Sequence, residues 1–493
     1  MSDNTIFLGK SEKPEVLYLP MANRHGLITG ATGTGKTVTL QILAEGFCKA
    51  GVPVFAADVK GDLSGISMEG EPKDFLIERA KAMDFDDYGM EATPTIFWDL
   101  FGQQGHPVRT TVTEMGPLLL SRFMGLSDAQ EGALNIAFRI ADKEGLALLD
   151  LKDLRALLKE LGDRGKELTT EYGNVNATTI GAIQRRLVVL EEQGGNNFFG
   201  EPALDITDLM RTTPNGRGYM NVLAADKLIN SPQLYATFLL WLMSELFERM
   251  PEVGDPDEPR LVFFFDEAHL LFAEAPPGLL QKIEQTVKLI RSKGVGIYFV
   301  TQNPLDIPES VLAQMGNRIQ HALRAYTPRE QKAVQTAATT FRPNPAFKTV
   351  DAITQLGKGE ALVSVLDLKG VPTIVERTMI RPPSGRMGPI TPEERQKIIK
   401  ASPVYGQYEE TVDRESAYEI LQKAAADRAE AAQKAKEEIE SMKADKAEAR
   451  ASRGRDTATD RFVKNVAGSL GTTIARSVGN ALVRGILGGL TKR

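Results

Sequence analysis

The octapeptide Gly30-Ala31-Thr32-Gly33-Thr34-Gly35-Lys36-Thr37 constrains this chain more than any other stretch. It fills every fixed position of G-x-x-x-x-G-K-[ST]. It also stands between an apolar Leu27-Ile28-Thr29 and a helically periodic run from Val38 to Lys49. A strand that enters a glycine loop and leaves as a helix turns successive backbone N–H groups, and the positive helix end, toward phosphate oxygens. In that arrangement Gly30, Ala31, Thr32, Gly33, Thr34 and Gly35 form the cradle. Lys36 reaches the β and γ oxygens, and the Thr37 hydroxyl ligates a metal, so Mg-ATP is the expected ligand. Val52-Pro53-Val54-Phe55-Ala56 supplies the next strand and completes a βαβ unit.

A fully apolar Leu261-Val262-Phe263-Phe264-Phe265 ends in Asp266-Glu267, and Gly296-Ile297-Tyr298-Phe299-Val300 leads into Thr301-Gln302. Unbroken apolar strands that alternate with helical segments, here 231–249 and 278–293, predict a mainly parallel sheet covered on both faces. Ligands of such sheets sit at the C-terminal strand edge. Asp266 is then placed to hold the metal, Glu267 to act as general base on the attacking water, and Gln302 to sense the γ-phosphate. For Gln302 an exposed loop amide is the competing reading. Asp58, Lys60 and Asp62 follow the second strand onto the same edge, where a charged turn explains them as well as coupling does. His269 reads as a helix-start residue.

The rest of the chain divides by pattern. Residues 1–109 carry the phosphate-loop part of the core, 110–200 read as an all-α insertion, and 201–390 return to strands. Within the last block, 361–365 and 371–375 flank Asp367-Leu368-Lys369-Gly370 and predict a hairpin. Residues 391–460 form a helical region that turns rich in Ala, Lys and Glu from about 415. The tail, 461–493, is basic and Gly-rich, with Ala467, Gly471, Ala475 and Gly479 at four-residue spacing for close packing. With 493 residues, 42% hydrophobic and 25% charged, the chain has the balance of a soluble globular protein of two or three domains. A net charge of −6 excludes a protein that coats nucleic acid over its whole surface, though not a local contact. The single Cys48 cannot form an intramolecular disulfide, the N-terminus lacks a leader pattern, and no apolar run approaches a membrane span. A cytoplasmic setting is the expectation.

Taken with the loop, Asn23-Arg24-His25-Gly26-Leu27-Ile28-Thr29, Asp58-x-Lys60-Gly61-Asp62, Asp266-Glu267-Ala268-His269, Arg291-x-Lys293-Gly294-Val295-Gly296 and Thr301-Gln302 resemble the HerA–FtsK superfamily of ring ATPases. Within it the set is most similar to the HerA-like helicase group that includes YjgR-type bacterial proteins, over roughly residues 5–390. The resemblance implies a RecA-like P-loop NTPase core, a homo-oligomeric ring, a hexamer first, and ATP-driven movement of double-stranded DNA. It implies an arginine from a neighbouring copy at the γ-phosphate, for which Arg291, Arg318 and Arg324 are candidates, and Arg386 as a further nucleotide contact. The short segment before the loop leaves no room for the barrel through which HerA docks a nuclease, so a nuclease partner is not carried over. Two other readings stay open: a ring ATPase that moves or remodels protein, and an ATP-switched scaffold with a membrane contact through the cationic tail.

Overall fold

The computed structural model describes residues 4–165, 172–173, 176–228, 231–272 and 277–451. The apolar runs pair into one twelve-stranded sheet of order β2-β1-β12-β11-β10-β3-β9-β8-β4-β7-β5-β6. Its strands are β1 Thr5–Lys10, β2 Pro14–Tyr18, β3 Gly26–Thr29, β4 Val54–Asp58, β5 Thr95–Asp99, β6 His106–Pro107, β7 Met220–Ala224, β8 Leu261–Phe265, β9 Val295–Thr301, β10 Asn317–Gln320, β11 Glu360–Ser364 and β12 Glu376–Ile380. From β10 to β6 every pairing is parallel, and from β10 outward to β2 every pairing is antiparallel. The fold is therefore the expected α/β, RecA-like P-loop core with a mainly parallel sheet. An antiparallel edge has been added from the two ends of the core sequence.

Period-two geometry explains why the parallel strands are apolar throughout. In β8, Val262 and Phe264 pack with Phe47 of helix α1 (Lys36–Lys49) on one face. Leu261, Phe263 and Phe265 pack on the other face with the helix Pro232–Arg249. Phe263, Phe264 and Phe265 are all 0% exposed. Between β6 and β7 the chain is helical over Val112–Phe123, Asp128–Glu144, Leu151–Asp163, Ala177–Glu192 and Gly195–Phe198, and these helices bury Leu134, Leu154, Leu158 and Leu187 in the same cluster as Phe263.

The hairpin forms with a different second strand. Residues 371–375 are not strand; β11 pairs instead with β12, Glu360 opposite Met379. Leu368 and Val371 are exposed at 62% and 45%, while Thr378 and Ile380 are buried between β11 and β1. The chain needs the extra residues to round a wider turn, in which Leu366 bridges Pro372.

The chain divides into Met1–Gln422 and Lys423–Arg493. The first unit takes in residues 391–422, where Val404, Tyr408, Ala417 and Leu421 are buried in the core. The helix Ala417–Ala451 continues into the second unit, and its described side chains there are mostly exposed. The small-residue tail 461–493 lies outside the described residues. Among those residues, no helix is long and apolar enough to cross a membrane.

Candidate active site

Parallel pairing carries the chemically marked residues to one edge. The phosphate loop leaves the end of β3, Asp58 and Lys60 that of β4, Asp266 and Glu267 that of β8, and Gln302 that of β9. Because β3, β9, β8 and β4 are consecutive neighbours in the sheet, residues far apart in sequence come to share one site.

The loop is packed underneath and open above. A Cβ on Gly30 would lie 2.5 Å from His321 Cβ and 2.9 Å from Thr34 Oγ1, whereas a Cβ on Gly33 would meet nothing within 4 Å. Gly35, which caps α1, has φ 120°, a conformation that favours glycine. Beneath the loop, His321 is fully buried. Its Nδ1 donates to the Glu360 carbonyl at 2.9 Å, which leaves Nε2 to accept the Thr39 hydroxyl at 2.8 Å. Burial drives this imidazole to about 4 and keeps it neutral. Gly359 N–H donates to the Thr34 carbonyl at 3.0 Å and Ala31 N–H to the Ala322 carbonyl at 2.8 Å, so neighbouring strands hold the loop from the side.

Lys36 is 7% exposed, and its ammonium donates to the Gly30 and Ala31 carbonyls at 2.7 and 3.2 Å. Burial lowers it, against the opposing charges of Glu267 and Asp266. Asp266 is 7% exposed; burial first, and then the neighbouring Glu267, raise it to about 6. Asp58 rises to about 7 through burial and the charges of Asp62 and Asp266, although Gly61 and Leu63 N–H donate to it at 2.8 and 3.1 Å. Glu267 goes the other way: burial would raise it, but hydrogen bonds from Lys60 and Gln302 outweigh burial and lower it. Gln302 also bridges, since Thr32 Oγ1 donates to its Oε1 at 3.2 Å while its Nε2 lies 3.3 Å from both Glu267 oxygens. One amide thus joins the phosphate loop to the acidic pair.

The site fits a magnesium nucleotide by its donor set. Among the described residues, no cluster of three or more His, Cys, Asp or Glu side chains could hold a metal alone. Asp266 and Thr37 stand beside an open phosphate cradle instead, and Mg2+ is characteristically held by one or two carboxylates together with phosphate oxygens.

The arginines are scattered. Arg291 precedes β9, on the opposite sheet edge from the loop, and its Nη2 donates to Asp255 at 2.7 Å. Arg318, within β10, donates to the carbonyls of Met315 and Leu312, both at 3.0 Å, and to that of Thr340 at 3.5 Å. Arg324 follows β10 on the nucleotide edge and is exposed. Arg386 makes a two-pronged bond to Glu394, 2.9 Å to each oxygen, and its own N–H binds the Met68 carbonyl. The support of the loop by His321 and Gly359 has no local sequence signal, because both come from segments that meet the loop only through sheet order.

Comparison with known proteins places the chain in a family. The family model described as "Helicase HerA-like C-terminal" matches residues 3–493. The DNA double-strand break repair helicase HerA of Sulfolobus acidocaldarius is 22% identical over 389 residues, covering 75% of this chain and 67% of that protein. Among solved structures, VirB4 of Thermoanaerobacter pseudethanolicus is 16% identical with a TM-score of 0.47, covering 80% of this chain and 99% of that one. The plasmid coupling protein TrwB in complex with an ATP analogue is 15% identical with a TM-score of 0.48, covering 75% and 89%. With a complete phosphate loop, an Asp-Glu pair two strands away on the same sheet edge and a family match along nearly its whole length, the chain belongs to the HerA-like helicase C-terminal family of P-loop ATPases.

Proposed function

We propose that this ATPase works on Mg-ATP at the β3–β9–β8 edge and uses the cycle to move double-stranded DNA as a homo-oligomeric ring, a hexamer first. The observation that carries the reading is the meeting of Lys36, Asp266, Glu267 and Gln302 at one strand edge, with Gln302 bonded to both sides. In it Gly30 to Gly35 cradle the phosphates, Lys36 neutralises the β and γ oxygens, and Thr37 and Asp266 hold the metal. Glu267 takes a proton from the attacking water, and Gln302 relays the state of the γ-phosphate between the loop and the base. Bound Mg2+ would supply charge neutralisation at the phosphates.

Two substitutions test the chemistry. Lys36→Ala should abolish measurable nucleotide binding, whereas Glu267→Gln should still bind a fluorescent ATP analogue while turnover falls by at least about a hundredfold. For the motor, the ATPase rate is measured with and without duplex DNA at low salt, where phosphate contacts are strongest. Stimulation supports a DNA motor; a flat response favours the protein-moving alternative, for which the net charge of −6 speaks.

Arg291 can meet a nucleotide only across a subunit boundary, because it lies on the far sheet edge of its own copy. Mixing Lys36→Ala with Arg291→Ala chains should therefore restore part of the turnover that each lacks alone. No recovery in the mixture counts against Arg291 as the contact between copies.

A further inference from the structure

Lys60 has no part in the scheme above, yet it holds the residue on which the scheme turns. Its half-exposed ammonium ion-pairs with the Glu267 carboxylate, which is 5% exposed. Gln302 Nε2 stands 3.3 Å from both oxygens of the same carboxylate, and His269 Nδ1 lies 3.3 Å from Oε2. Each oxygen of the general base therefore already faces a donor. A base needs a free lone pair directed at the water it activates, and every donor seated on it removes both direction and basicity.

The backbone points the same way. Glu267 has φ 48°, left-handed for a residue with a Cβ, an unfavourable conformation that persists only where the surroundings enforce it. Here it is enforced by Glu267 N–H to Asp266 Oδ1, Ala268 N–H to the Val300 carbonyl and Leu270 N–H to the Glu267 carbonyl, all at 2.9 Å. Strain of this kind gathers at active sites and switch regions, and here it sits on a residue whose side chain is tethered to another strand.

We infer that Lys60 is a latch on Glu267: it holds the base away from water until phosphate oxygens arriving at this edge draw the ammonium off. The inference rests on Glu267 being the base. Lys60 is the solvent-facing member of the pair, at 43% exposure, and it stands in a field made by Glu267, Asp266 and Asp62. An anion entering beside these carboxylates meets Lys60 as an attractive contact outside the phosphate loop. A phosphate oxygen offers an ammonium the same charge-assisted bond as a carboxylate does, so the exchange loses little. The phosphate can come from the γ-position of the nucleotide or from a nucleic-acid backbone, and the two are separable.

The test compares Lys60→Ala, Lys60→Met and Lys60→Arg with the unaltered chain, reading kcat and KM for ATP with and without duplex DNA. A fluorescent ATP analogue confirms that each variant still folds and binds, and Lys60→Met keeps the apolar stem should Lys60→Ala fold poorly. Where a nucleic-acid backbone releases the latch, its loss should raise the DNA-free kcat by about fivefold, the scale of one partly exposed ion pair, with KM unchanged, the DNA response flattened and Lys60→Arg in between. Where the γ-phosphate releases it, saturating ATP has already drawn the ammonium off, so KM changes while kcat and the DNA response stay. A kcat that falls, or kcat and KM that both keep their unaltered values, in Lys60→Ala and Lys60→Met overturn the latch. The reading of Glu267 is checked apart from it: if Glu267→Gln hydrolyses ATP normally, the base assignment fails whatever Lys60 does.

Discussion

Asp58 and Asp266 are carboxyls kept inside the protein beside other negative charge, and their values of about 7 and 6 set how the nucleotide-free chain responds to acid. In the unfolded chain both return to about 4, so between about pH 4 and pH 7 the folded state holds more protons than the unfolded one. Stability from these groups is therefore greatest at low pH and is lost as pH rises through 6 and 7. Asp58→Asn should flatten the fall in denaturant midpoint between pH 5 and pH 7, and an unchanged slope would show that Asp58 is not its source. Backbone conformation sets a second residue-level limit. Gly35→Ala places a Cβ at φ 120° and 3.3 Å from His321 Cε1, which should weaken nucleotide binding by ~1–2 kcal/mol, readable as a Kd increase of about tenfold. At this scale the phosphate loop, Asp266, Glu267 and Gln302 are recognisable from adjacent residues alone. The Lys60–Glu267 pair and the imidazole of His321 are not, because each contact joins strands that touch only in the folded sheet.

Among elements, β8 shows what could be read and what could not. Its five apolar residues announce a strand buried on both faces, and Phe264 fulfils this with its ring 5.1 Å from that of Tyr298 and 6.3 Å from that of Phe47. Phe264→Ala should destabilise the chain by about 3–5 kcal/mol, measured by denaturant unfolding, because the wall around it is too well packed to collapse into the space. The edge strands give weaker signals. In β12, three polar residues, Glu376-Arg377-Thr378, come before Met379-Ile380, and the more hydrophobic 371–375 beside it attracts the strand assignment instead. Hydrophobicity is a poor guide at a sheet edge, where one face is wet and pairing partners decide the register. β5 carries an apolar Ile96-Phe97-Trp98, a run of three that is too short to mark a strand by itself. β6 is only two residues long and has no pattern to read.

Within residues 1–422, a clasp ties the first strand and the phosphate-loop helix to the segment just past β12. Arg381, just past β12, is 6% exposed and donates to the Phe7 carbonyl at 3.0 Å, to the Ile42 carbonyl at 2.7 Å and to Glu45 at 3.3 Å. Glu45, on the phosphate-loop helix, also accepts from Ser384 and Gly385 N–H at 2.9–3.1 Å. Burial presses the guanidinium down from its ordinary value, and the Glu45 charge opposes this. Glu45→Ala would leave a buried cation unpaired and should cost about 3–5 kcal/mol, seen as a lowered thermal midpoint, while the double change Glu45→Ala with Arg381→Met should recover part of it. The sheet order has a further consequence for how the chain is made. β3, which launches the phosphate loop, is flanked by β9 and β10, so its two hydrogen-bonding partners are Val295–Thr301 and Asn317–Gln320. At ordinary ribosomal speeds Leu27 and Ile28 wait on the order of half a minute for these partners. Until then the nascent chain carries the whole nucleotide cradle at the end of an unpaired apolar strand, and a message truncated before residue 295 yields the motif without the grip.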